Sequence, residues 1–253
     1  MAESVDAPDL KSVGHCARGS SSLPTRMFTK QTMKKLLLYL GVITLLPSVV
    51  FANEKKIKGY KTYDAMGCMI VRECTDNVKQ IRDIADIRKH YPSVDYSSID
   101  NEFNNMLVSL TKVGVVVFLA PGKYFPVNHR GVYHTVSNTF FLNEEHMDSQ
   151  STLMSVMRHE GWHAAQDCMA GTIENSLIAI IKPEEEVPMI WRTMVERTYP
   201  PHAIPWEAEA TWAGKTESMT MEALKACAAG KMWEVFPPTP LTKKWLEEEG
   251  YIK

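Results

Sequence analysis

Cysteines are few in this sequence, and none of them forms a C-x-x-C pair. Five cysteines occur in 253 residues, so a zinc site built from cysteine alone is not predicted. Basic residues are not in excess either: 28 Lys and Arg against 30 Asp and Glu give a formal charge of -2. Nucleic-acid binding is therefore not expected. No internal repeat is present, and the composition predicts one ordinary globular domain.

The one long apolar run lies near the N-terminus and is short for a membrane span. Lys34 and Lys35 precede apolar residues 36–46, and Pro47 breaks the run before the small residue Ala52. A charged start, a short apolar run and a small-residue end are typical of a signal peptide. We therefore predict export to the periplasm or the medium after cleavage near Ala52. An uncleaved membrane anchor is the alternative.

The signal peptide divides the chain into three segments. Residues 1–32 are polar and irregular, and they do not fit in front of a signal peptide. We interpret them as a mis-annotated or disordered leader, with residues 33–52 as the signal peptide. Residues 53–253 then form a single domain.

Export agrees with the cysteines that remain after cleavage. Cys16 lies in the leader, so four cysteines remain after cleavage. An even number of cysteines in an exported chain predicts disulfides, and four cysteines allow three pairings. We favour Cys68–Cys74 and Cys168–Cys227. The second pair would tie the end of one long helix to a later helix. Four reduced, buried thiols are expected instead if the chain is not exported.

The most informative stretch is His159-Glu160-Gly161-Trp162-His163, an H-E-x-x-H motif. On a helix, residues four apart lie on one face, so both imidazoles can bind one metal ion. Glu160 lies beside that face and can deprotonate a water molecule on the metal. A helix over 149–170 is predicted, because polar caps precede the apolar pattern and Gly171 follows it. Gly161 leaves room for another chain or for close helix packing.

Catalytic zinc generally has three protein ligands, so a third must come from elsewhere. The next long helix is predicted over 205–229, and its start carries Glu207 and Glu209. Two positions apart on a helix, these acids point in different directions, so one of them is expected to be a solvated surface acid. His202 is a further candidate before the helix.

These motifs resemble the gluzincin branch of the zincin metallopeptidases, in which E-x-x-A-D or E-x-x-S-D follows H-E-x-x-H. Glu207 and Ala210 match that segment. Thr211 departs from it, since the family often has Asp there to orient a zinc-bound histidine. The resemblance spans roughly residues 139–215. It implies that His159, His163 and Glu207 bind Zn²⁺, and on this ground we favour Glu207 over Glu209.

Several shorter elements surround these motifs. Their patterns predict strands over 68–71, 115–119 and 139–143 and helices over 76–90, 98–112, 176–181 and 189–199. The expected fold class is α+β: a predominantly helical, zincin-like domain with a small sheet next to the H-E-x-x-H helix. In zinc peptidases the strand before this helix often forms the sheet edge that binds the substrate backbone, so 139–143 is expected at an edge.

The resemblance implies an exported zinc metallopeptidase that acts on a peptide or protein substrate. Glu160 would serve as the general base for a zinc-activated water. Tyr199 and His202 are candidate donors to the oxyanion. The alternative is a non-catalytic exported protein that binds a metal or a partner. Neither the oligomeric state nor the cleavage specificity follows from the sequence, and a membrane is expected to be involved only through an uncleaved signal segment.

Overall fold

Helices dominate the part of the chain that the structure describes, which in this computed structural model comprises residues 65–169, 178–248 and 250. The helices are α1 (Ala65–Ile70), α2 (Ile84–His90), α3 (Asp100–Lys112), α4 (Gln150–Cys168), α5 (Met189–Val195), α6 (Ile204–Lys215), α7 (Met219–Ala228), α8 (Met232–Val235) and α9 (Pro240–Glu248). The strands are β1 (Lys79–Gln80), β2 (Val116–Ala120), β3 (Gly131–His134) and β4 (Thr139–Asn143). The expectation of a mostly helical chain with a small sheet is confirmed. The predicted leader, the signal peptide and Gly171 lie outside the described residues.

The four strands form one sheet in the order β1-β2-β4-β3. β2 and β4 are parallel, while β1 and β3 pair antiparallel with their neighbours. β4 is therefore an inner strand, and the expectation that 139–143 forms an edge is wrong. All five of its side chains are buried, because both faces of an inner strand are covered. The edge on this side of the sheet is β3.

Alternate residues of β4 supply two apolar clusters on opposite faces of the sheet. Phe140 and Leu142 pack with residues of α3 and α4 in the larger cluster. Phe141 packs with Met69 and Ile70 of α1 in the smaller one. This alternation is the period of two expected for a strand.

Helix α4 is surrounded by β3, α3, α6 and α7. Ser149 caps its start, because its side chain accepts a hydrogen bond from the Thr152 backbone N–H at 3.4 Å. Nearly every residue from Leu153 to Cys168 is buried. A helix enclosed on all sides can place several side chains at internal sites at once. The predicted helix over 149–170 is confirmed over Gln150–Cys168.

Some of the shorter predicted elements are wrong. Residues 68–70 belong to helix α1 rather than to a strand, and the backbone then turns back so that the N–H groups of Glu73 and Cys74 bond the Cys68 carbonyl. The helix predicted over 76–90 is limited to α2, because Asp83 caps it and Lys79–Gln80 joins the sheet. Residues 178–181 are not helical.

The helix predicted over 205–229 is two helices. α6 ends at Lys215, and α7 starts after Ser218, whose φ of 67° lies in the left-handed region. A left-handed residue other than glycine, asparagine or aspartate is uncommon, so no composition signal marks this break. The helices predicted over 98–112 and 189–199 correspond to α3 and, in part, to α5.

Both favoured disulfides are present, Cys68–Cys74 and Cys168–Cys227. The second joins the C-terminal end of α4 to α7. It does not join α4 to the helix that carries Glu207, because α6 ends at Lys215 and Cys227 lies in the next helix, α7. Disulfides are characteristic of proteins in oxidising compartments. Among the described residues, no helix has the length and apolar character needed to cross a membrane.

Candidate metal centre

Helices α4 and α6 bring together the three side chains predicted to bind a metal. His159 and His163 lie one turn apart on α4, and their Nε2 atoms are 3.2 Å from each other. Glu207, in the first turn of α6, places Oε2 3.5 Å from the first of these nitrogens and 3.6 Å from the second. All three side chains are fully buried. They form a group that could hold a metal ion.

Small residues allow the two helices to approach each other closely. A Cβ atom at Gly214 of α6 would lie 3.0 Å from the Ser155 carbonyl oxygen and 3.3 Å from the His159 Cβ. A side chain at this position would force the helices apart. On another side of α4, a Cβ atom at Gly161 would lie 2.9 Å from Thr220 Cγ2 of α7. Gly161 therefore serves close helix packing, not access for another chain.

The spacing of the three donor atoms fits a four-coordinate metal. Ligand atoms about 2.0–2.1 Å from a tetrahedral zinc ion lie about 3.3 Å from one another. The three separations of 3.2, 3.5 and 3.6 Å are close to this value. Two imidazoles and one carboxylate are also a donor set that zinc accepts. The residues present therefore fit a metal ion, while its identity is not fixed by the geometry.

Electrostatic coupling in the group is strong because water is excluded. Burial alone would lower the pKa of His163, but the Glu207 carboxylate, together with Glu160 and the hydrogen bond to Gln166, raises that pKa to about 9. Burial would raise the pKa of Glu207, yet the neighbouring His163 holds it below its usual value. The pKa of His159 is lowered, chiefly by burial. Without a metal, the group therefore favours a protonated, positively charged His163 beside a neutral His159 and an ionised Glu207.

Glu160 lies on the side of α4 that faces strand β3. A Cβ atom at Gly131 would lie 2.7 Å from Val156 Cγ1 and 3.1 Å from Glu160 Oε1, so a side chain there would displace these neighbours. Neither carboxylate oxygen of Glu160 has a hydrogen-bond partner of standard geometry among the described residues. Burial raises the pKa of Glu160 to about 8, although His163 and the Tyr133 backbone act in the opposite direction. A raised pKa makes the carboxylate, in its ionised form, a stronger proton acceptor than an exposed one.

Gln166 fixes the orientation of His163, a role that sequence reasoning missed. Its Oε1 lies 2.8 Å from His163 Nδ1. Its Nε2 donates to Glu209 Oε2 at 2.8 Å and to the Trp206 carbonyl at 3.1 Å. With its nitrogen committed as a donor, Gln166 can only accept from His163, so Nδ1 carries the hydrogen and Nε2 is free to bind a metal. The signal in the sequence is a glutamine three residues after His163.

Glu209 is fully buried, so the expectation of a solvated surface acid is wrong. In addition to Gln166, three donors bond its carboxylate: Trp162 Nε1 at 3.1 Å, the Ile181 N–H at 3.0 Å and the Lys182 N–H at 2.7 Å. Burial raises the pKa of Glu209 to about 7 even though these donors oppose the shift. Glu209 therefore anchors the chain at 181–182 and supports Gln166, while Glu207 faces the histidines.

The other sequence candidates lie apart from the converging donors. His202 is exposed, and its ring centroid is 6.1 Å from that of Trp206. Tyr199 is buried in a separate apolar cluster with Ala208. Within the described residues, Thr211 makes no side-chain hydrogen bond that could orient a histidine. Gln166 supplies that support from α4 instead.

The outer edge of β3 offers backbone groups next to Glu160. The Asn143 N–H donates to the Arg130 carbonyl at 2.9 Å, which sets the hydrogen-bonded register with β4. Because bonding alternates along an antiparallel pair, the N–H and C=O groups of Gly131 and Tyr133 point away from β4. Within the described part of the chain, no strand pairs with this edge.

Comparison with known proteins places the chain in no established group. No protein-family model, no curated protein and no solved structure matches it. The arguments for function therefore rest on the geometry of the site.

Proposed function

We propose that this protein is an exported zinc metallopeptidase with a zincin-like arrangement of its site. The observation that carries the proposal is the position of Glu160: a buried carboxylate beside two histidines and a glutamate that fit a metal ion. A buried carboxylate whose oxygens lack hydrogen-bond partners of standard geometry is costly. A metal-activated water beside it would supply both the missing partner and a function.

Each residue has a distinct role in the proposed hydrolysis. His159, His163 and Glu207 would hold the metal, which when bound supplies Lewis-acid activation of a water molecule and of the scissile carbonyl. Glu160 accepts the proton of the attacking water and then passes it to the leaving amine, so that one water is consumed and an acid and an amine are formed. Gln166 keeps His163 in the tautomer that leaves Nε2 free.

The edge of β3 is the proposed binding surface for the substrate backbone. An extended peptide can pair with the outward N–H and C=O groups of Gly131, while the Tyr133 backbone N–H is directed at the Glu160 carboxylate. Gly131 lies against Glu160, so a peptide paired there would pass beside the proposed base. The strand that serves this role is thus β3 and not the inner strand β4.

Zinc and export are parts of the same proposal. Histidine and carboxylate ligands in a tetrahedral arrangement favour zinc over the harder cations Mg²⁺ and Ca²⁺. The two disulfides fit an oxidising compartment, which agrees with the proposed signal peptide and cleavage near Ala52.

The test combines metal content with peptide cleavage. The protein is purified without chelator and compared with His163→Ala and Glu160→Gln, using His202→Ala and Glu222→Gln at exposed positions as matched controls. We expect one zinc per chain in all proteins except His163→Ala. We expect cleavage of a peptide library to be lost in both site variants and kept in both controls. Cleavage that survives Glu160→Gln would refute the assigned base.

A structural metal centre is the second candidate. It is favoured by the complete burial of His159, Glu160, His163 and Glu207. A structural zinc site generally has four protein ligands, and the described residues provide three. Bound zinc together with increased stability and no cleavage of any library peptide would favour this candidate over the peptidase.

A further inference from the structure

Two basic residues directly adjoin the glycines that pack beside the proposed metal centre. Arg130 directly precedes Gly131, the residue that lies against Glu160. Lys215 directly follows Gly214, the residue that lies against His159. Partial desolvation lowers the pKa of Lys215, and the positive charges of Arg130 and Arg158 lower it further. The two side chains therefore come from different elements but share one region of positive potential.

The described residues provide no acidic partner for either of these cations. Arg158 is different, because it forms a bidentate pair with Glu102, both contacts being 2.6 Å. Arg130 and Lys215 occur in none of the ion pairs within the described part of the chain.

The Arg130 guanidinium is also short of hydrogen bonds. Its Nε atom is buried and has no hydrogen-bond partner, and desolvation lowers its pKa. A buried guanidinium N–H that lacks an acceptor destabilises the protein, and an anion that accepts a hydrogen bond from it would remove that cost. Lys215 is exposed, so a ligand can reach this place from solvent.

We propose that Arg130 and Lys215 bind a carboxylate of the substrate, so that the protein acts on peptides with an acidic group close to the scissile bond. The inference rests on the proposed peptidase function. A peptide that pairs with Gly131 at the edge of β3 extends past Arg130 at the start of the strand, which brings one of its ends toward the two cations. The carboxylate has two possible sources, an Asp or Glu side chain and the C-terminal carboxylate.

The first experiment measures binding without cleavage. The Glu160→Gln variant is titrated with zinc and fluorescently labelled peptides, and anisotropy gives the Kd. Two matched pairs separate the sources: a Glu peptide against its Gln counterpart with amidated ends, and a neutral peptide with a free C-terminus against its amide. We expect one acidic member to bind about ten- to a hundredfold more tightly than its neutral counterpart, the range for hydrogen bonds to a charged group.

Charge-removing variants test the residues themselves. Arg130→Gln and Lys215→Gln, each added to Glu160→Gln, should remove most of that preference and leave the affinity for the neutral peptide unchanged. Lys244→Gln on α9 is the matched control, since this exposed lysine pairs with Glu248. Unchanged thermal melting of the variants would show that folding is intact. Equal affinities for acidic and neutral peptides, or a preference that survives both substitutions, would overturn the inference.

Cleavage by the protein with Glu160 intact separates this inference from the proposed function. Cleavage without any preference for acidic peptides refutes the carboxylate site and leaves the peptidase standing. Carboxylate-dependent binding without cleavage of any peptide refutes the peptidase while it supports the carboxylate site.

Discussion

Replacing Gln166 by Met tests whether this side chain controls metal binding. Methionine has a similar length and keeps the space filled, but it removes the acceptor for His163 Nδ1 and the donor to Glu209. His163 can then turn, or carry its hydrogen on Nε2, where it blocks the metal. Loss of a group that supports a ligand typically weakens metal binding about 10- to 100-fold. Each tenfold step is about 1.4 kcal/mol.

The substitution should also destabilise the metal-free protein. Gln166 is fully buried, and its bond to the Glu209 carboxylate is of the class that contributes about 1.5–3 kcal/mol. Glu209 keeps its bonds from Trp162, Ile181 and Lys182. The loss should therefore stay near this range and not unfold the chain.

The assay is a competition titration for zinc against a chromophoric chelator, with urea unfolding of the metal-free proteins alongside. Gln150→Met is the matched control, because Gln150 lies at the start of α4, far along the helix from the metal ligands. We expect weaker zinc binding for Gln166→Met only. A zinc affinity equal to that of the unchanged protein would refute the role assigned to Gln166.

Three further predictions concern other parts of the site. Gly131→Ala should lower the rate of cleavage but retain zinc, since its Cβ would lie 2.7 Å from Val156 Cγ1 and 3.1 Å from Glu160 Oε1 and would displace them; metal analysis and peptide cleavage check this, and full activity would contradict it. Zinc binding near pH 7 should release protons, because Glu207 raises the pKa of His163 to about 9 and the metal requires the neutral ring. Calorimetry in buffers of different ionisation heat measures that release, and a buffer-independent heat would contradict it. Replacing both Cys168 and Cys227 by Ala should cost about 4 kcal/mol for a closed loop of this length; urea unfolding measures it, and an unchanged midpoint would contradict it.

The long elements follow from the sequence because local pattern and tertiary packing agree there. The β-branched run of β2 and the apolar run of β4 are bounded by turn residues, and Ser149 marks the start of α4. The short elements are decided by contacts that a local pattern does not contain. Two residues of β1 join the sheet through pairing with β2, and α1 ends at Ile70, within the loop that the Cys68–Cys74 disulfide closes.

The candidate site likewise combines features that a local pattern predicts with features that depend on contacts distant in sequence. Spacing alone places His159 and His163 on one face of a helix, and the type of residue assigns Glu160. The expected exposure of Glu209 fails, because its partners include backbone N–H groups at 181–182 that are distant in sequence. No composition signal shows that a buried acid has such partners.

The two acids of α6 restrict how this helix can vary between related proteins. Glu207 faces the histidines and Glu209 faces the chain at 181–182, so both sides of the helix are committed to partners. An inserted residue between them would rotate one acid by about 100° relative to the other and leave it buried without its partners. Relatives of this chain should therefore tolerate substitutions in α6 but not insertions between these positions. H-E-x-x-H-x-x-Q followed by E-x-E is the spacing by which distant relatives could be recognised where overall identity is too low.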